Sequence, residues 1–421
     1  MNRMRICFIA DARSPIAKNW ITYFVQRCHE VHVISSYPCS RESYPNALVT
    51  EVTSILDRMA GFRHDGQVQN RNTPGRFSRI KAEVRAGRLS DLTLAIRHWV
   101  EPLGVGRRSG AISEILRQIK PDLVHAMRLP FEGIMAAFAD PQAPLLVSIW
   151  GNDLTLFARR FPWTGRQSRR ALQRADALHC DCNRDIKLAA HFGFDPQKPS
   201  IVLPGGGGIQ MDVFGARQAD STVRARFDIP DDVPLVCNPR GFRAYVRNDT
   251  FFRCIALTTK RRSDIVFAAV GMQGNPVAER WISSLGIRQN VRLLPILSRA
   301  EMGMLLRTSD VMVSPSEHDG TPNTLLESMA AGAFPIVGDI ESLREWITEG
   351  VNGSLREPWD AEGFSEAILG AIANSPLRLS AALKNRQLIE ERAEYGSSME
   401  RAERFYQRLI CKSEMNSAPE F

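Results

Sequence analysis

Short apolar runs alternate with amphipathic stretches along most of the chain. The first two apolar runs are residues 6–10 and 31–35. Between them Trp20, Ile21 and Phe24 recur with the spacing of one helical face. A strand, a helix and a second strand of this length are typical of a parallel βαβ unit.

The same alternation continues to the end of the chain. Apolar runs predict further strands at 122–126, 144–149, 177–180, 235–238, 265–270, 291–294, 311–314 and 335–337. Helical patterns predict helices near 110–119, 133–138, 165–174, 184–192, 361–374 and 378–407. This order predicts an α/β protein with parallel sheets.

One segment interrupts the pattern, since Pro204 is followed by four consecutive glycines, 205–208. Such a segment is a loop or hinge, and a chain of 421 residues is long enough for two domains. We therefore predict an N-terminal Rossmann-like domain at 1–205, a hinge at 206–232 and a second Rossmann-like domain at 233–389. A helix at about 390–410 is expected to pack back on the first domain.

Composition narrows the class. The chain is 44% hydrophobic and 24% charged, as in globular proteins. Its eight cysteines show no zinc-binding spacing, and reduced thiols are typical of the cytoplasm. The first apolar run is too short for a signal peptide, and no run reaches the length of a membrane span. We therefore expect a cytoplasmic protein.

The net charge of +8 is concentrated in two places. Residues 56–120 hold thirteen Lys and Arg against six acids, and 157–174 interleave arginine with aromatic residues. Two interpretations stay open: a solvated basic surface, or a face for an anionic acceptor or the anionic inner face of a membrane. Nucleic acid is not predicted as a partner.

The segment 311–332 is predicted to be a strand, a tight loop and a helix. Thr321 suits the N-cap, Pro322 the first helical position and Gly332 the C-terminal end. Free N–H groups at such a helix start suit a diphosphate. We therefore assign a diphosphate to the residues at the helix start, which are Gly320, Thr321, Pro322, Asn323 and Thr324. Asp319 and Glu327 flank it, where carboxylates would bind sugar hydroxyls.

This segment resembles the signature of the family 4 retaining glycosyltransferases, which have the GT-B fold of two Rossmann-like domains facing each other across a cleft. The resemblance implies that Glu327 holds the ribose hydroxyls of a nucleotide sugar. It implies that Asp319, where the family usually has Glu, contacts the donor sugar and is catalytic in the broad sense.

The resemblance extends into the first half of the chain. The segment 121–126 is similar to one that carries a cleft-facing histidine, which makes His125 a second catalytic candidate; the alternative is a core histidine at a strand end. The segments 11–15 and 148–153 are similar to the family's acceptor side, which implies roles for Ser14, Gly151 and Asp153.

After the first strand of the second half, 238–243 resembles the place where a family arginine reaches the donor diphosphate. Arg240 is the first candidate and Arg243 the second. Tyr245 stands where the family usually has a lysine, and Arg247 lies nearby. No acidic metal-binding pattern is present, so we expect neither a metal nor a cofactor.

The predicted activity is transfer of a sugar from a nucleotide sugar, with UDP-sugar favoured, to a glycan or lipid-linked acceptor with retention of configuration. Two alternatives stay open. One is a GT-B-fold sugar-nucleotide epimerase, which turns over without an acceptor. The other is a non-catalytic nucleotide-sugar-binding homologue or partner subunit.

Overall fold

The computed structural model describes residues 3–40, 44–53, 104–215, 222–243 and 245–417. Residues 56–103 of the predicted basic region lie outside this part of the chain. The described residues form two units: the first takes those up to Gly208 and again from Gly396, and the second takes Ile209–Tyr395. Each unit is built around one parallel sheet.

The strands of the first unit are β1 (Arg5–Ala10), β2 (Glu30–Ser35), β3 (Leu48–Glu51), β4 (Leu123–Ala126), β5 (Leu145–Ile149), β6 (Ala177–Cys180) and β7 (Ser200–Val202). Its helices up to β7 are α1 (Pro15–Gln26), α2 (Val105–Ile119), α3 (Ile134–Ala139), α4 (Ala158–Arg160), α5 (Pro162–Arg174) and α6 (Asn183–His191). Two π-helical turns, Leu129–Gly133 and Asp153–Phe157, precede α3 and α4. The central strands β4, β5 and β6 are buried throughout, which explains their nearly unbroken apolar sequences.

The strands of the second unit are β8 (Leu235–Asn238), β9 (Val266–Ala269), β10 (Val291–Leu293), β11 (Val311–Ser314), β12 (Phe334–Gly338) and β13 (Ser354–Arg356). Its helices are α7 (Met211–Phe214), α8 (Thr222–Arg226), α9 (Asn248–Arg261), α10 (Pro276–Leu285), α11 (Arg299–Arg307), α12 (Asn323–Ala331), α13 (Ala361–Ala373) and α14 (Ser375–Arg392). The last helix of the chain, α15 (Tyr395–Ser417), belongs almost entirely to the first unit.

The strand order of each sheet defines where a ligand can bind. The first sheet runs β3-β2-β1-β4-β5-β6-β7 and the second β10-β9-β8-β11-β12-β13. The order reverses between β1 and β4 in the first sheet, and between β8 and β11 in the second. In open parallel sheets the crevice at the carboxyl ends of such strands is the usual ligand site.

Helix α15 contributes to the core of the first unit through buried polar contacts. The Tyr406 hydroxyl accepts a hydrogen bond from Trp20 Nε1 at 2.9 Å and lies 2.5 Å from His125 Nδ1. One turn earlier, the buried Glu403 accepts from the Tyr23 hydroxyl and lies 2.9 Å from His29 Nε2. Because buried polar groups need such partners, the first unit depends on the end of the chain.

The predicted hinge at 206–232 is not a separate linker in the described part of the chain. Its described residues from 209 onward belong to the second unit, and Phe214, Val223 and Ile229 are buried in its core. Gly207 and Gly208 have φ of 84° and 112°, in the left-handed region that favours glycine.

The single helix predicted at 378–407 is wrong, because α14 ends at Arg392 and α15 starts at Tyr395. Three short strands, β3, β7 and β13, were not predicted at all. They lie at sheet edges, where fewer buried residues leave no strong apolar run. Among the described helices, none combines the length and apolar character that crossing a bilayer requires.

Candidate functional site

The switch point of the second sheet brings together side chains from β8 and β11. Arg240 follows β8, and its Nη2 donates a hydrogen bond to Asp319 Oδ2 at 2.5 Å in the loop after β11. Its Nη1 donates to Thr324 Oγ1 on α12 at 3.2 Å. Both charged residues are more than nine-tenths buried. The structure therefore assembles three of the residues predicted for the donor.

The loop that carries Asp319 is fixed by contacts on both sides. Ser342 Oγ donates to the Asp319 carbonyl at 2.8 Å, and Trp346 Nε1 donates to Thr321 Oγ1 at 3.0 Å. Gly338, at the end of β12, lies so close that a Cβ there would be 2.2 Å from the Ser316 carbonyl oxygen. The close approach explains why glycine stands at this position.

Helix α12 starts one residue later than the sequence predicted. Pro322 occupies the N-cap position, and Asn323 is the first helical residue. Thr321 is therefore not the N-cap, and its hydroxyl is used by Trp346. The backbone N–H groups of Asn323 and Thr324 have no backbone acceptor among the described residues. Gly332 ends the helix with a φ of 93°, as predicted.

Glu327 lies further along α12 and is partly buried. Its carboxylate makes no hydrogen bond to the described residues. Burial raises the pKa of Glu327 to about 7, although the positive charges of Arg299 and Arg240 oppose the rise. Burial also raises the pKa of Asp319, and the positive charges of Arg240 and Arg243 oppose this rise. The site thus holds two buried carboxylates, of which Asp319 is paired with Arg240 and Glu327 has no hydrogen-bond donor among the described residues.

Arg243 and Arg247 both lie near the position where the family usually has a lysine, but their contacts differ. Arg243 lies next to Arg240 and donates from Nε to the Arg240 carbonyl at 2.9 Å. Arg247 instead pairs with Asp249 and Glu317, at 2.8 and 2.7 Å. Arg243 is therefore placed beside the predicted anion site, whereas the charge of Arg247 is already neutralised.

His125 is not at a ligand-accessible surface. It is fully buried, and Nδ1 lies 2.5 Å from the Tyr406 hydroxyl while Nε2 lies 2.7 Å from Ser148 Oγ. Burial lowers its pKa well below the ordinary value, so the ring is neutral at pH 7. The predicted catalytic role is corrected: His125 is a core histidine whose two nitrogens are both used.

The predicted acceptor residues lie at the carboxyl edge of the first sheet. Ser14 precedes α1 and lines a pocket beside the β1–β4 switch point. The Gly151 carbonyl instead accepts from Thr155 Oγ1 and Arg184 Nη2. Asp153 is fully buried and binds Arg128 Nε at 3.2 Å. Of the three residues, only Ser14 reaches the pocket directly.

Sequence reasoning missed Arg299 and Arg128. Arg299 is the first residue of α11, which begins with a Ser298–Glu301 capping box, and its charge acts on Glu327. Arg128 follows β4 directly, so its place next to a switch-point strand was a usable signal. Arg299 and Glu327 lie on different helices, and tertiary packing brings them close together. No local sequence pattern predicts that proximity.

One buried group among the described residues has the composition of a metal site, namely Asp181, Cys182 and Asp185. However, Arg184 Nη2 already pairs with Asp185 Oδ1 at 2.8 Å, and burial raises the pKa of the Cys182 thiol. A protonated thiol beside an arginine is a poor set of cation ligands. The group is an ion-paired part of the core.

Two family models match the chain: the glycosyl transferase 4-like domain over residues 15–206 and glycosyl transferases group 1 over residues 220–388. The fold and both matches define a two-unit α/β protein of the glycosyltransferase class. The chain belongs to the family 4 glycosyltransferases and has the GT-B fold.

Individual relatives are distant. The chain is 27% identical over 192 residues to a D-inositol 3-phosphate glycosyltransferase of Thermobifida fusca, a match that covers 43% of each protein. It thus spans less than half the length of the curated relatives that it matches. Among solved structures, Anabaena Alr3699/HepE in complex with UDP superposes with a TM-score of 0.70 at 13% identity, covering 96% of this chain and 100% of that one. The sucrose-phosphate synthase of Thermosynechococcus elongatus superposes with a TM-score of 0.74 at 13% identity, covering 97% and 100%.

Proposed function

We propose that the protein is a glycosyltransferase that moves a sugar from a nucleotide sugar to a glycan or lipid-linked acceptor. The observation that carries the proposal is the cluster of Arg240, Asp319 and the start of α12 at the switch point of the second sheet. UDP-sugar is the favoured donor, and the HepE structures that share this fold were solved with UDP and with UDP-glucose.

The proposed chemistry needs charge stabilisation on the leaving group. As the bond to the sugar breaks, negative charge develops on the departing diphosphate. Arg240, Arg243 and the free N–H groups of Asn323 and Thr324 would stabilise this charge. Glu327 would accept hydrogen bonds from the ribose, and Asp319 would bind hydroxyls of the transferred sugar. We propose that the reaction retains configuration and needs no metal, and we assign no protein nucleophile.

A nucleotide panel tests the proposal. Thermal unfolding is measured with UDP, GDP and ADP and with their glucose conjugates, because a ligand that binds only the folded state raises the unfolding temperature. We expect UDP and UDP-glucose to give the largest shifts, unchanged by EDTA. Absence of any shift would contradict nucleotide-sugar binding.

Measuring turnover of the nucleotide sugar with and without an acceptor distinguishes a transferase from the two alternatives, an epimerase and a non-catalytic homologue. An epimerase converts the nucleotide sugar without an acceptor, and a non-catalytic homologue binds it without turnover. Full activity in an Asp319→Ala variant would contradict the role assigned to this residue. The expected result is transfer that requires an acceptor and is lost in that variant.

We further propose that the protein works next to an anionic membrane surface. Helices α4 and α5 lie in a stretch, 154–175, that has six arginines and no acid. Trp163 at the start of α5 is 43% exposed, and Arg166, Arg169 and Arg170 are exposed on the same helix. Basic helix faces with an exposed tryptophan are suited to the interface of anionic lipid.

Vesicle co-sedimentation tests this location. The protein is expected to bind vesicles that contain phosphatidylglycerol and not vesicles of phosphatidylcholine alone, with binding weakened by salt. The triple variant Arg166→Ala/Arg169→Ala/Arg170→Ala should lose binding. The control variant Lys260→Ala/Arg280→Ala/Lys384→Ala loses the same charge from the second unit and should retain it. Equal loss in both variants would mean that only net charge matters.

A further inference from the structure

A pocket of about 90 Å³ lies in the first unit at the switch point of its sheet. It is lined by residues that follow β1, β2, β4 and β5, so four separate strands contribute to it. Those that carry polar groups are Asp11, Ser14, Tyr37, Arg128, Glu132 and Trp150. Topology alone makes this the expected ligand crevice of the unit.

Arg128 is held in a fixed orientation in this pocket. Its Nε donates to Asp153 Oδ1 at 3.2 Å, and Asp153 is itself held because the Trp150 backbone N–H donates to Oδ2 at 3.0 Å. The guanidinium carbon lies 5.3 Å from the centre of the Trp150 ring and 5.5 Å from that of Phe157. A buried carboxylate and two aromatic rings thus position the guanidinium before any ligand arrives.

The terminal nitrogens of Arg128 are available to a ligand. Neither Nη1 nor Nη2 makes a hydrogen bond to the described residues, and the side chain keeps 32% of its exposure. Trp150 Nε1 is buried and has no hydrogen-bond partner among the described residues. The two Nη groups of one guanidinium can bind both oxygens of a carboxylate or phosphate together.

The two acids that line the pocket, Asp11 and Glu132, have hydrogen-bond partners other than Arg128. Asp11 is already bound by Arg13 through two hydrogen bonds, at 3.0 and 3.1 Å. Glu132 accepts from Ser36 Oγ at 2.5 Å. Arg128 therefore meets its only close carboxylate, within the described part of the chain, through Nε.

We propose that this pocket binds an anionic group of the acceptor, a phosphate or a carboxylate, and that Arg128 is the residue that selects for it. The inference rests on the proposed function, because it names the acceptor chemistry of the same transferase. Asp153 is then a positioning residue that acts through Arg128.

The proposal is tested by measuring the binding of three probes to the full chain with ligand-observed NMR. The probes are glucose 6-phosphate, glucuronate and glucose. The donor site is first saturated with UDP, so that it cannot hold the anions. We expect the two anions to bind and glucose to bind much more weakly. The ratio between glucose 6-phosphate and glucuronate distinguishes a phosphate from a carboxylate acceptor.

Variants assign the effect to Arg128. Arg128→Gln should weaken binding of the anions at least about tenfold, the cost of one charge-assisted pair, with UDP affinity unchanged. Arg128→Lys should keep part of the binding, because it retains the charge without the fork. The control Arg117→Gln removes an exposed arginine from the same unit and should have no effect. An unchanged near-UV circular dichroism spectrum and an unchanged thermal unfolding curve show that a variant is folded; if Arg128→Gln fails this check, Arg128→Lys carries the test.

Two results would overturn the inference while leaving the donor proposal intact. One is that UDP binds but no anionic probe does. The other is that Arg128→Gln and Arg117→Gln bind the anions equally. If UDP itself does not bind, the proposed function fails, and the probes are then titrated without it to judge the pocket separately.

Discussion

At the scale of single residues, the two carboxylates of the proposed donor site differ in their surroundings. Asp319 has a permanent cationic partner in Arg240, whereas Glu327 makes no hydrogen bond among the described residues. Burial raises the pKa of both. The negative charge of Asp319 is therefore stabilised by the protein itself, whereas that of Glu327 would be stabilised by hydrogen bonds from a ligand.

Glu327→Gln should make the unliganded protein more stable above pH 7. Folding raises the pKa of this carboxyl from 4.5 to about 7, so the folded state keeps a proton that the unfolded chain releases. Stability therefore falls as pH rises from about 4.5 to 7, and the variant avoids that loss. We expect a gain of about 2 kcal/mol at pH 8 and none at pH 4, measured by thermal unfolding.

The same variant should weaken UDP binding tenfold to a hundredfold, roughly the value of hydrogen bonds to a charged group. Glu390→Gln, which changes an exposed acid of the same unit, serves as the control and should alter neither quantity. Lower stability of Glu327→Gln at pH 8 would contradict the description of this site.

Arg240→Ala should destabilise the second unit by about 3 kcal/mol, because it leaves the buried Asp319 carboxylate without its partner. Adding Asp319→Asn removes that charge, and the double variant should recover part of the loss. Denaturant unfolding of both variants provides the comparison. If the double variant is less stable than the single one, the pair is not what holds this loop.

At the scale of elements, the strands that end in the two crevices were the easiest to predict. Strands β4, β5, β8 and β11 are buried on both faces, so their apolar runs are continuous. The loops after them were harder, because their contacts come from distant segments. Trp346 takes the Thr321 hydroxyl, and helix α12 then starts one residue later than its local sequence suggests.

Gly338→Ala should disturb the loop that carries Asp319, since the new Cβ would meet the Ser316 carbonyl at 2.2 Å. Backbone on both sides must move, and we expect a loss of about 1–3 kcal/mol together with weaker UDP binding. Gly370→Ala on α13 is the matched control. It has open space around it and should be neutral or stabilising by up to about 1 kcal/mol. Equal thermal stability of the two variants would contradict the close approach.

At the scale of the whole molecule, the sequence predicted the two parallel-sheet domains that the structure contains. The prediction for His125 was wrong. The segment around His125 resembles one that carries a cleft-facing histidine, but the residues packed around His125 bury it in the core. The residues that bury His125 include Trp20, Ser148 and Tyr406, and Tyr406 is 281 positions away. No local pattern encodes a contact of that separation.

Deleting residues 395–421 should destabilise the first unit selectively. The deletion exposes Trp20 and Phe24 and leaves His29 without Glu403. We expect thermal unfolding to split into two transitions, of which only the upper one responds to UDP. A single transition at the original temperature would show that α15 is dispensable.

The return of α15 to the first unit also sets an order of events during synthesis. Between Gly208 and Gly396 the ribosome adds 187 residues, the whole second unit. At roughly 5–20 residues per second this takes about 10–40 s. Throughout that time the nascent first unit lacks its last helix, with Trp20 and Phe24 uncovered. The unit that is made first can therefore only be finished last, and chaperones have a long interval in which to engage it.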